Sequence, residues 1–374
     1  LAIRPDQFRR HADLRSLAAA ATPVEVRAPS VDPTGEVPLT PIQRWFFDRR
    51  PAVPSHFNQA VLLEADEAFD PDRLEEAARR VVERHGALRL RFDRDATGAW
   101  RARVAEPAPG PDGYVRRGSD WDLVQRSLDL SSGPLLRIGA DGRRLLVVVH
   151  HLAIDGVSWP ILLEDLSRAY AGRDLPEPTA SWREWAIRLA DRAPPPAGRD
   201  EAAPGPPLPV DSRDGPDDEG SARSVTTALD PGLSRRALAR PSPDDVLVAA
   251  LVRAIESWRG PGPVLGETEG HGRAALGGAL DVSRTVGWFT QLRSLRVDRA
   301  GGSALGAVGR ARGRPAPSVE PPIRFNYLGR AEPPAGTWKL VPEPAGAPRE
   351  ESLPRDRLLE VDAALADGRL QFAW

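Results

Sequence analysis

The stretch from residue 193 to 222 constrains this chain more than any other. It is crowded with Pro194–Pro196, Pro204, Pro206, Pro207, Pro209 and Pro216, interleaved with glycines and the charged run DSRDGPDDEG. Proline removes a backbone donor and fixes φ, so the segment reads as unable to sustain a helix or a sheet. It is expected to be a linker, with one globular block on each side. Length agrees, because 374 residues are too many for one compact core and comfortable for two lobes. With 41% hydrophobic and 28% charged residues, enough apolar area exists to fill such cores, and disorder of the whole chain is excluded.

Both blocks show mixed periodicity. In the first, over 37–192, Gln59–Glu64, Ala87–Phe92 and Arg144–Val149 read as strands, the last with an unbroken LLVVV that implies burial on both faces. Leu74, Ala77, Ala78, Val81 and Val82 give 71–85 the spacing of an amphipathic helix, and 161–170 also reads as helical. In the second, over 223–374, Pro243 opens a helix whose Val246, Leu247, Ala250, Leu251, Ala254 and Ile255 share one side. Strands are expected at 264–269, 292–297, 323–327, 358–363 and 370–374. The class is therefore α/β or α+β in two lobes. Ahead of them, 1–21 reads as a short helical piece and 22–36 as a proline-broken linker.

Composition removes several functions. A net charge of −2, from 51 basic and 53 acidic residues, argues against nucleic acid or an anionic membrane as the main partner. No apolar run approaches the roughly 20 residues of a membrane span, and no signal-peptide pattern opens the chain, so a cytoplasmic protein is expected. The absence of cysteine excludes disulfides, thiolate metal sites and a cysteine nucleophile. Lys339 is the sole lysine, which reads as coding bias of a GC-rich genome, and the absence of methionine suggests an excised piece of a longer chain.

The sharpest local feature is HHLAIDG, from His150 to Gly156, at the end of the LLVVV strand. Adjacent strand residues point to opposite faces, so one of His150 and His151 can face a cleft while the other anchors. Asp155 follows, and Gly156 permits a tight turn. Two readings stay open on these residues alone: a site, or two structural histidines with an aspartate capping the next helix. Zinc lacks a third ligand at a familiar spacing. A serine nucleophile at Ser158 lacks the glycine two residues on, where Pro160 stands. A second cluster, ETEGHGR, places Glu269 at a strand end with glycines around His271, a pattern equally at home in a polar turn. Aromatic runs at 281–290 and 325–329 complete the set, and Tyr327 is one of only three tyrosines.

Taken in order, PLTPIQRWFF (38–47), HFNQAVLL (56–63), LRLRF (88–92), HHLAIDGVSW (150–159), EGHGR (269–273), SRTVGWFT (283–290) and FNYLG (325–329) closely resemble the epimerization domain of nonribosomal peptide synthetases. The resemblance covers about residues 37–374. It implies membership of the condensation-domain superfamily and two chloramphenicol acetyltransferase-like lobes arranged in a V, with the active site in a tunnel between them. The piece over 1–21 resembles the end of a peptidyl carrier domain. The 288–325 segment is shorter than the family leads one to expect, as though its helix were truncated.

By this resemblance the reaction is epimerization of an L-aminoacyl or L-peptidyl group tethered through 4'-phosphopantetheine to an upstream carrier domain, with a condensation domain downstream. No metal or soluble cofactor is implied, and the excised domain is expected to be monomeric. His151 is the cleft-facing histidine and Glu269 the family's characteristic glutamate; a raised pKa would let Glu269 exchange protons. Tyr327 is expected to hydrogen-bond the developing enolate oxygen, with Asn326 beside it lining the site. His150 anchors the turn, Gly156 permits it, and Asp155 is structural, with Arg89 as its expected ion-pair partner. The alternatives are a condensation domain, which shares the histidine motif but forms an amide bond, and a non-catalytic relative that recruits another protein.

Overall fold

Five consecutive residues, Leu145–Val149, have no exposed surface at all, and the sheet built around them organises the first half of the chain. Each fully buried aliphatic side chain contributes about 1.5–3 kcal/mol, so this strand alone is a strong nucleus for a core. A computed structural model describes residues 14–19, 34–192, 199–200, 205–211, 214–277, 279–317, 319–330 and 338–374. The helical reading of 1–21 survives there only as Leu14–Ala19, and the rest of it lies outside the described residues.

The chain divides into two compact units. The first holds residues up to Ala193 together with His271–Phe289 and Pro333–Arg349; the second holds Pro194–Gly270, Thr290–Glu332 and Glu350–Trp374. Two parts of the expected second lobe, 223–374, therefore belong to the first unit. The 193–222 segment is likewise no mere linker. Arg199–Asp200 pairs in parallel with Ala316–Pro317, and Leu208 is buried in the second unit's core. Proline forbids a long ladder but tolerates a two-residue edge pairing and an apolar anchor.

In the first unit a sheet runs in the order Lys339–Leu340, Asn58–Glu64, Arg144–His150, Leu136–Asp141, Val115–Arg117. The helix Pro71–Arg84 begins at Asp70, whose carboxylate accepts from the Asp72 and Arg73 amides, and it buries the five apolar residues its spacing picks out. It packs on the helix Ser158–Tyr170. A shorter helix, Pro41–Asp48, begins with a capping box between Thr40 and Gln43. The Gln43 amide also donates to the Leu152 carbonyl at 3.2 Å, tying this helix to the histidine turn. The expected strand 87–92 begins late: Gly86–Arg89 forms a 3-10 turn and the strand is Leu90–Arg94.

In the second unit a sheet runs Gln291–Val297, Val264–Gly270, Ile323–Arg330, Leu359–Ala366, Arg369–Ala373, Thr226–Ala228. Its central neighbours are parallel, with Thr268 opposite Phe325 and Asn326 opposite Asp362. One face packs on the helices Pro243–Arg259 and Ala304–Arg312 through Val264, Phe325, Val361 and Ala363. A nine-residue helix thus remains in the short 288–325 segment.

Candidate active site

His150 ends its strand fully buried. Its Nε2–H donates to the Pro54 carbonyl at 2.9 Å, and its Nδ1 accepts from the Leu152 amide at 3.2 Å. Burial pushes its pKa down to about 3, so it stays neutral and anchors the turn. His151 points the other way, as strand alternation requires. Its backbone amide donates to the Phe57 carbonyl, and its ring lies against Phe57 and Trp288 with centroids 5.2 and 4.4 Å away. The Nδ1–H donates to the Ile154 carbonyl at 2.9 Å, within the same turn. That leaves the lone pair on Nε2, which lies 3.1 Å from the Gln59 amide nitrogen.

Asp155 is tied on all sides. Its Oδ1 accepts from the Ser158 amide at 2.8 Å and the Ser158 hydroxyl at 2.7 Å, and its Oδ2 accepts from the Phe289 amide at 3.1 Å. The cation beside it is Arg273, at 3.3 Å, and not Arg89. Arg89 is buried in the turn before its strand and donates to the Ala105 carbonyl at 2.9 Å. Arg273 also donates to the Val282 and Thr285 carbonyls, both at 2.8 Å, and lies over the Phe289 ring. Asp155, Ser158 and Arg273 thus clamp the 282–289 segment beneath His151. Gly287 completes the clamp: its amide donates to the Ser158 hydroxyl, and a Cβ there would stand 2.2 Å from the Trp182 ring. Gly156 is exposed in the following turn, with open space around its α-carbon and no positive φ, so, contrary to expectation, the turn does not require glycine there.

Glu269 is placed differently. It lies near the end of the strand Val264–Gly270 and keeps 24% of its side-chain surface exposed. Strand alternation puts it on the same face as Glu267, opposite the helix-packed face that takes Val264. Arg324, from the neighbouring strand, is the central cation of this face. It donates to Glu267 at 2.9 Å and approaches Glu269 at 3.7 Å and Glu360 at 3.4 Å. Arg357 donates to Glu267 from a second side, at 2.9 Å. Burial raises the Glu269 pKa; Arg324 opposes it, and the charges of Asp362, Glu360 and Glu267 reinforce it. The result is about 7.

Asn326 and Tyr327 separate. Tyr327 packs with Phe325 against the helix-covered core, so alternation sends Asn326 to the face of Glu269 and Arg324. The Asn326 side-chain amide has no hydrogen-bond partner among the described residues. Sequence reasoning passed over Gln59 and Arg273, although both stand inside recognised motifs.

Residues 34–321 match the Condensation domain family. The chain belongs to that family. This condensation-family domain is 34% identical to chondramide synthase of Chondromyces crocatus over 97% of its own length and 11% of that protein's. It is also 34% identical to a linear gramicidin synthase polypeptide of Brevibacillus parabrevis, over 96% of itself and 8% of that protein. The chain therefore spans about a tenth of the curated relatives it matches. Among solved structures it is similar to the epimerization domain from the third module of tyrocidine synthetase B, with a TM-score of 0.77 and 28% identity over 93% of this chain and 92% of that one. The X-domain from teicoplanin biosynthesis has the same fold, with a TM-score of 0.64 at 21% identity, covering 93% and 91% of the two chains. The fold is the mixed α/β one of condensation-type domains. No helix among the described residues is long and apolar enough to cross a membrane.

Proposed function

We propose that this domain epimerizes the α-carbon of an aminoacyl or peptidyl group presented as a phosphopantetheine thioester on a carrier domain of an assembly line. One observation carries the reading: Glu269 stands as a largely buried carboxyl at a strand end, among Glu267, Glu360 and Arg324, and burial raises its pKa to about 7, where such a group both gives and takes a proton. Similarity to a solved epimerization domain supports the same choice.

In the proposed reaction a base takes the α-hydrogen as a proton and the C–H electron pair moves into the thioester carbonyl, giving an enolate. An acid then returns a proton to the opposite face of the same carbon. His151 Nε2 and the Glu269 carboxyl are these two groups, each acting as base in one direction and as acid in the other. The enolate oxygen needs a donor that is not already engaged. Asn326, on the Glu269 face, takes this role; Tyr327 lies on the opposite face, partly buried against the core. Asp155 and Arg273 do not exchange protons here; they hold the segment on which Trp288 meets the His151 ring. The partners are the carrier domain that delivers the thioester and a downstream condensation domain that takes the product.

The test is α-proton exchange. An L-aminoacyl carrier is incubated with the domain in D₂O, and deuterium at Cα is followed with the D/L ratio. Exchange with racemisation, lost in both His151→Ala and Glu269→Gln, supports the proposal. Absence of exchange on loaded carriers, with amide formation once a second loaded carrier is added, establishes the condensation reading that the family match also permits.

A further inference from the structure

Phe57 and Gln59 stand two residues apart on the strand-end stretch that pairs with Arg144–His150, so both project toward the His151 side. Phe57 stacks on the imidazole. Gln59 meets its Nε2, and a third residue fixes how. The Trp159 indole N–H donates to Gln59 Oε1 at 2.7 Å. Indole nitrogen is a donor only, so the amide oxygen must face Trp159 and the NH₂ group must face His151. An amide nitrogen cannot accept a hydrogen bond, so the 3.1 Å contact requires a lone pair on His151 Nε2. At the far side, the Ile154 carbonyl can only accept, which places the ring proton on Nδ1. Trp159, Gln59, His151 and Ile154 therefore form one chain in which every donor points the same way.

We propose that Trp159 and Gln59 are positioning residues that fix His151 as the neutral Nδ1–H tautomer and disfavour its imidazolium. The inference rests on the reading of His151 as a proton-transfer group and says how that group is prepared. Protonation at Nε2 turns an N–H toward the Gln59 NH₂, and relief requires the amide to rotate and abandon Trp159. The indole bond thus adds its own cost to charging a ring one hydrogen bond away. The titratable and charged groups described on the surrounding elements of this unit have contacts of their own. His150 is buried and neutral, His56 bonds the Ala347 carbonyl, Asp155 is paired with Arg273, and Arg349 lies over the Phe57 ring.

The experiment uses the whole domain labelled with ¹⁵N-histidine, with the His151 signals assigned by their loss in His151→Ala. The wild type is expected to show a protonated Nδ1 and an unprotonated Nε2. In Gln59→Glu a carboxylate accepts from Nε2–H, and the His151 midpoint is expected to rise by about a pH unit or more, a tenfold change in its proton equilibrium. Trp159→Phe frees the amide to turn; it is expected to populate the Nε2–H tautomer and raise the midpoint in the same direction. If the wild type carries its proton on Nε2, or if neither variant moves the midpoint while both melt as the wild type does, the proposal is overturned. The pH profile of α-proton exchange is read in parallel. A midpoint that moves while exchange does not follow leaves the relay standing and removes His151 from proton transfer.

Discussion

The two candidate proton-transfer groups are prepared by opposite means. Around His151 the described contacts include a carbonyl, an amide, an indole one bond further out, and two aromatic faces. Around Glu269 they are charges, with Arg324 set against Glu267, Glu360 and Asp362, and burial tipping the balance. A hydrogen-bond chain acts through the direction of its donors, which depends on geometry and hardly at all on ionic strength. A charge cluster acts through fields that salt and neighbouring substitutions change. The comparison teaches that a group's acidity can be set by which way an amide faces as readily as by what charge lies nearby.

The largest break in this comparison should come from removing the groups themselves. Glu269→Gln and His151→Ala are each expected to lower α-proton exchange by about 10²–10⁴-fold. Next come the supports. Arg273→Ala leaves Asp155 buried without its cation and is expected to cost about 3–5 kcal/mol in urea unfolding, whereas Arg89→Ala should leave the Asp155 contacts in place. Equal losses from the two variants, with equal disturbance of the 282–289 segment, would restore Arg89 as the partner. Gly287→Ala drives a methyl into the Trp182 ring and is expected to cost about 1–3 kcal/mol, read as a lowered midpoint with unchanged m.

The smallest expected effect is a difference in pH response. His150 has a folded pKa of about 3, below its unfolded value of 6.5, so the unfolded chain binds the extra proton between them. Its contribution to stability is present above about pH 6.5 and is lost as pH falls toward 3. Glu269 has the reverse sign, with a folded pKa of about 7 above its usual 4.5. Its contribution is present below about 4.5 and is lost as pH rises through 7. Thermal melts of Glu269→Gln should therefore gain on the wild type at about pH 8 relative to about pH 5. An equal gap between the two proteins at both pH values would mean that the carboxyl is charged throughout.

Much of the fold was legible because periodicity records burial. The LLVVV strand, the helix 71–84 and the parallel strands of the second unit all sit where their apolar spacing puts them. The division of the chain was less legible, since proline content says what a segment cannot form and not where Leu208 will anchor. In the site, His150 and His151 part as strand alternation demands. The Asp155 partner was missed for a physical reason. Two arginines stand near in motif order, and only the fold decides that Arg273 comes back to the helix cap while Arg89 turns to the Ala105 carbonyl. Tyr327 and Asn326 face opposite sides of one strand, and Tyr327 lies partly buried against the helix-packed core, which adjacency in the FNYLG motif does not reveal.

The strand that carries Gln59 is an edge until a distant segment covers it. Lys339–Leu340 pairs with Leu63 and Glu64, Phe57 bridges to Arg349, and the Asn58 amide donates to the Pro348 carbonyl. During synthesis this flank waits unpaired until residues 339–349 have emerged from the ribosome. A polypeptide stopped short of residue 339 would expose NQAVLLE, a ready template for pairing with another copy. Truncation before residue 339 should thus yield aggregates rather than a soluble first unit.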